Sequence, residues 1–163
     1  MVIRWRFVAM TVLLLTAAGA GAQQVFRLDD STSPRNQIEA RIEDSPLVAR
    51  QGPTMQVRFG RIEYRLATAA HMGRRARIFY VVPPLINGLR APVGMQVHWR
   101  DGRLFADGSA RPGERRPVWN GVVREAWMND SLDMSLELDA RQLRVLPGAD
   151  LGFEAYFEIE VLP

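Results

Sequence analysis

The side chains able to do acid–base, nucleophilic or metal chemistry are few in this sequence and poorly spaced for it. There are two histidines, His71 and His98, in different segments, and no cysteine. No second histidine stands at helical spacing from either, HExxH and GxSxG are absent, and no glycine pattern follows a strand to cradle a phosphate. The lack of cysteine excludes disulfides, thiolate metal sites and a cysteine nucleophile. Glu154, Glu158 and Glu160 share one side of an alternating stretch and imitate a paired-carboxylate or calcium site. Their spacing is also what any solvated strand face produces, and Asp101 and Asp107 lack the spaced oxygen ligands of a calcium loop. The expectation is a chain with no catalytic residue, no metal site and no cofactor, and so not an enzyme.

Binding chemistry is better represented. Arg74, Arg75 and Arg77, with Arg115 and Arg116, are candidates for a patch that meets acidic glycans or anionic surfaces. Trp99, Trp119 and Trp127 are candidates for stacking on sugar rings, although tryptophans in strands more often fill a core.

The chain begins with an export pattern. Arg4 and Arg6 precede an apolar run from Phe7 to Ala17, and Ala20-Gly21-Ala22 is the small-residue motif of a cleavage site. The run is too short to span a bilayer, so the pattern predicts cleavage after Ala22 rather than a retained membrane helix. Residues 1–22 are then a signal peptide, and the 141 residues left (163 less 22) suit one domain with one core and no membrane span. The protein is expected in the periplasm, on the cell surface or in a fimbrium.

All 21 basic residues are Arg, and without Arg4 and Arg6 they number 19 against 18 acids. The pI near 10.1 therefore does not indicate a polyanion binder, and no nucleic-acid partner is expected. Residues 58–124 carry thirteen Arg against four acids, whereas residues 125–163 carry two Arg against nine acids. Basic and acidic strands lying side by side would neutralise each other through cross-strand pairs. Separate basic and acidic faces would instead suit head-to-tail stacking.

Elements able to hold these residues follow from alternation. Phe153, Ala155, Phe157, Ile159 and Val161 alternate with Glu154, Tyr156, Glu158 and Glu160, which predicts a strand with one buried face. Leu132 to Leu138 repeats the pattern, and Arg77 to Val82 reads as a strand buried on both sides. Further strands are predicted at 54–59, 62–69, 118–123 and 38–42, and a hairpin at 95–105 turning at Asp101-Gly102. Asn87-Gly88, Asn120-Gly121, Asn129-Asp130 and the Pro-Gly pairs at 112 and 147 read as turns, and 68–72 and 140–143 as single helical turns. Eight or nine short strands predict an all-β, immunoglobulin-like antiparallel β-sandwich.

Ile38, Ala40 and Ile42 stand in period two before Asp44-Ser45-Pro46. This segment resembles the N-terminal donor strand of chaperone-usher pilins, particularly cysteine-free alpha-type fimbrial subunits. The alternating C-terminal strand, with Phe153, Ala155, Phe157, Ile159 and Val161, is similar to the pilin strand that borders the acceptor groove. The chain departs from many pilins in having no cysteine pair and no penultimate aromatic, since it ends Val161-Leu162-Pro163. The resemblance implies a sandwich lacking one strand, with residues 23–46 an N-terminal extension or donor-like strand and 47–163 the sandwich domain. It implies other pilus subunits and a periplasmic chaperone as partners. The alternative is a periplasmic or secreted module binding glycan or protein through the tryptophans and arginines. Such a module would pair its N-terminal strand within its own sheet and cluster its aromatics on one face.

Overall fold

The computed structural model describes residues 23–33, 48–144 and 154–163. Among the described residues nine strands form, in chain order: β1 (Gln24–Arg27), β2 (Val48–Gln51), β3 (Thr54–Ala67), β4 (Arg75–Val81), β5 (Met95–Arg100), β6 (Gly108–Ala110), β7 (Arg115–Val122), β8 (Trp127–Asp139) and β9 (Tyr156–Val161). They assemble into two sheets, ordered β1-β9-β4-β7 and β2-β3-β8-β5-β6, in which every pairing is antiparallel. The all-β sandwich expected from alternation is the fold. The expected turns at 68–72 and 140–143 are short 3-10 helices, Ala69–His71 and Ala140–Gln142.

The inner faces of the two sheets meet in one core. Phe157 of β9 lies 5.0 Å from Tyr64 of β3, and Tyr80 of β4 lies 4.7 Å from Trp99 of β5, ring centre to ring centre. Phe105 adds a further contact to Phe157 at 5.5 Å. Aromatic pairs across a sandwich combine large apolar burial with edge or tilted geometry. Burial raises the Tyr64 phenol to about 12 and Tyr80 well above its usual range, so both hydroxyls stay protonated.

Several boundaries differ from the sequence reading. The strands expected at 54–59 and 62–69 are one strand, β3, interrupted by a bulge at Phe59-Gly60, where Gly60 takes φ +70°. A bulge of this kind needs a left-handed residue, which glycine supplies without a Cβ clash. The hairpin return is β6, and residues 103–105 form a loop instead. The reason is Asp130, whose carboxylate accepts the N–H groups of Arg103, Leu104 and Phe105 at 3.0, 2.7 and 2.7 Å, taking the donors a ladder would use. Asn129-Asp130 therefore lies inside β8, not in a turn. Asn120-Gly121 likewise lies inside β7, where the Trp119 indole covers Gly121.

Charge neutralisation runs across strands, as one of the two charge readings expected. Arg115 of basic β7 reaches over Phe79 of β4, 3.4 Å from the ring centre, to Glu158 at 2.7 Å and Glu160 at 3.4 Å on acidic β9. Arg100 of β5 meets Asp133 of β8 at 3.0 Å. Glu160 is only 7% exposed, so the expectation of a solvated glutamate face on the last strand fails there. A buried carboxylate needs a partner, and Arg115 is that partner.

Candidate functional site

β9 carries the alternation that the sequence made most legible, and its neighbours define the candidate site. Phe157, Ile159 and Val161 are buried in the core, while Ala155 packs at its margin. On one side β9 pairs with β4 over six residues. On the other it pairs with β1, a four-residue segment, in the register Gln24↔Val161, Val25↔Glu160, Phe26↔Ile159 and Arg27↔Glu158.

β1 is an edge strand whose four residues are all exposed. Leu28, immediately after it, is different: it is 3% exposed, joins the core cluster, and donates its N–H to the Phe157 carbonyl at 2.9 Å. The chain then crosses to the other sheet. The Asp29 carbonyl accepts the Ala67 N–H at 2.9 Å, and the Ser33 hydroxyl oxygen accepts the Arg65 N–H at 2.9 Å. Residues 24–33 thus form a strap that closes the seam between β9 in one sheet and β3 in the other. A local turn shapes it, since the Asp29 carboxylate accepts the Ser31 N–H and is held below its usual range by that bond.

Side-chain contacts of the strap lie at its margins. The Phe26 ring sits 5.2 Å from His71, and the Arg27 guanidinium 4.5 Å above the Tyr156 ring. Partial burial, with a smaller contribution from Arg74, holds the His71 imidazole below its usual value.

Of the expected strand-exchange residues, Phe157, Ile159, Val161 and Ala155 come together at this seat. Ile38, Ala40, Ile42 and Phe153 lie outside the described residues. The segment seated on β9 is Gln24–Leu28, in which Val25, Phe26 and Leu28 make too short a run to mark a strand in the sequence. The one signal available was Phe26 and Leu28 in period two.

The surface-binding candidates do not converge. Arg75 lies opposite Val122 at one end of the β4–β7 pair, and Arg115 lies opposite Val81 at the other. Arg74 and Arg77 belong to the first end, while Arg116 pairs with Glu114 at 3.1 Å at the second. Trp99 is interior, donating its indole N–H to the Ala106 carbonyl at 3.0 Å, with Gly108 leaving the room its ring occupies. Trp119 packs against the core on β7, and Trp127 on β8 lies under the Arg65 guanidinium at 4.7 Å. The three indoles therefore form no common platform. His98 is half-buried and 3.8 Å from Glu137. Among the described residues no three acidic, histidine or cysteine side chains group as metal ligands, and no helix is long and apolar enough to cross a membrane.

Comparison of the chain with protein-family models, with curated proteins and with solved structures finds no match.

Proposed function

We propose that this chain is an exported, non-catalytic subunit of a surface fimbria, assembled by strand exchange in which the N-terminal strap of one copy seats on β9 of the next. The observation that carries the reading is the asymmetry of the strap. β1 buries none of its own four side chains, so its hold comes from backbone pairing with β9, the marginal contacts of Phe26 with His71 and Arg27 with Tyr156, and one core anchor, Leu28. Backbone bonds of this kind contribute about 0.5–1.5 kcal/mol each net, and a rival copy of the same segment supplies identical ones. The core residues it covers on β9 would otherwise form an apolar edge open to pairing.

A lone chain fills this seat with its own strap, whereas a neighbour's strap fills it equally well and links the two copies head to tail. In this reading the partners are further copies of the chain, and a periplasmic chaperone covers the seat before assembly. The dispersal of Trp99, Trp119 and Trp127 weighs against the glycan-binding alternative, whereas the pairing of β1 with β9 of its own chain is the arrangement that alternative expects.

The test uses the register Arg27↔Glu158. Directly opposed positions in an antiparallel pair have Cα atoms about 4.5–5.5 Å apart, within disulfide reach. One chain carries Arg27→Cys and a second, differently tagged chain carries Glu158→Cys. Strand exchange predicts a mixed interchain disulfide on oxidation. If the double variant in one chain oxidises internally while the mixture gives no interchain product, strand exchange is wrong.

A further inference from the structure

Seven large hydrophobic side chains are exposed among the described residues, and four of them gather at one end of the sandwich. Val25 and Phe26 lie in the middle of β1, Met72 lies in the β3–β4 turn, and Val122 ends β7, with exposures between 40% and 53%. The backbone ties these pieces together: Gly73 donates to the Val123 carbonyl at 2.8 Å, Leu162 donates to the Arg75 carbonyl at 2.8 Å, and Phe26 rests on His71. Around them stand Arg74, Arg75 and Arg124, all exposed, with Glu125 and, on the strap, Asp29 as exposed acids, while Glu160 opposite Val25 is paired with Arg115. Scattered exposed apolar residues need no explanation, but a gathered set with guanidinium groups beside it does.

The chain enters the molecule at this end. Only residues 18–22 separate the apolar run ending at Ala17 from Gln23. At roughly 3.5 Å per residue such a tether reaches no more than about 20 Å. Before the expected cleavage after Ala22, while the apolar run is held in a bilayer, this end of the domain is confined beside the headgroups, where even a weak surface affinity is amplified by effective concentration.

We infer that this end, Val25, Phe26, Met72 and Val122 with Arg74, Arg75 and Arg124, is a docking surface for an anionic lipid bilayer. The apolar side chains enter the interfacial region and the guanidinium groups meet lipid phosphates, the two contributions that add in peripheral membrane binding. The contact does not depend on strand exchange, because Met72, Val122 and the three arginines lie outside β1.

The test is co-sedimentation of the chain from residue 23 to 163 with vesicles of phosphatidylglycerol and, separately, of phosphatidylcholine. Binding is expected to the first and much less to the second. Met72→Glu with Val122→Glu should weaken it at least tenfold, and Arg74→Gln with Arg75→Gln about thirtyfold at low salt. The arginine pair is exposed and makes the test independent of any folding defect in the first variant. Leu85→Glu with Val93→Glu, exposed apolar positions in the β4–β5 connection, should leave binding unchanged. Absence of binding to phosphatidylglycerol, equal binding to both lipids, retention in both tip variants, or equal loss in the Leu85/Val93 control would each overturn the inference.

Discussion

Replacing Leu28 by Ala isolates the strap from the rest of the sandwich. Leu28 is buried in the core, its N–H bonded to the Phe157 carbonyl, and is the strap's only core side chain. Truncating a buried leucine costs about 3–5 kcal/mol when the cavity cannot collapse. Because β1 is an edge strand with no other buried residue, that loss falls on strap docking before it falls on global unfolding. About 3 kcal/mol is a factor of roughly a hundred in the docking equilibrium. Amide hydrogen exchange resolves it: the β9 amides that face β1 should lose about a hundredfold in protection, while those that face β4 change little. The thermal midpoint should fall by only a few degrees. Equal loss on both sides of β9 would mean that the strap and sandwich open as one unit, and the argument for an exchangeable strap would fail.

Arg115→Met keeps an apolar stem over Phe79 but removes the partner of Glu160, leaving a buried carboxylate unpaired. It should lower stability by about 2–3 kcal/mol by chemical denaturation, and adding Glu160→Gln should restore a good part of that. Asp130→Asn tests the loop clamp. Burial alone would raise this carboxyl, but the N–H groups of Phe105, Leu104, Arg103 and Ser131 outweigh it and hold it below its usual range. A depressed folded value means the stabilisation is present above the unfolded value, near pH 4, and is lost as pH falls through the folded one. Asp130→Asn should therefore cost about 2 kcal/mol at pH 7, and the gap from the native chain should close below pH 4 in urea titrations.

Period-two alternation made the sandwich legible because each strand with one buried face must alternate, and β8 does so along its whole length and β9 as far as Ile159. Elements set by tertiary contacts were not legible. The loop at 103–105 depends on Asp130, 25 residues away from Phe105, and the β3 bulge depends on matching β8 over thirteen paired positions. At the candidate site, Phe157, Ile159 and Val161 stood out because their face is continuous. The occupant of the seat did not, because only Phe26 and Leu28 mark its inward side and Leu28 alone is buried. The arginine cluster drawn from sequence proximity separated because Arg75 and Arg115 occupy opposite ends of the same ladder, a distance that composition does not encode.

The central claim is that the seat on β9 takes a separable segment. The direct measurement is the melting temperature and mass of the domain lacking residues 23–33, with and without a synthetic peptide of those residues. Strand exchange predicts a domain weakened by the loss, a one-to-one complex with the peptide, and a rise in melting temperature of more than 10 °C that a Leu28→Ala peptide does not reproduce. A truncated domain that melts with the intact chain and ignores the peptide would contradict it.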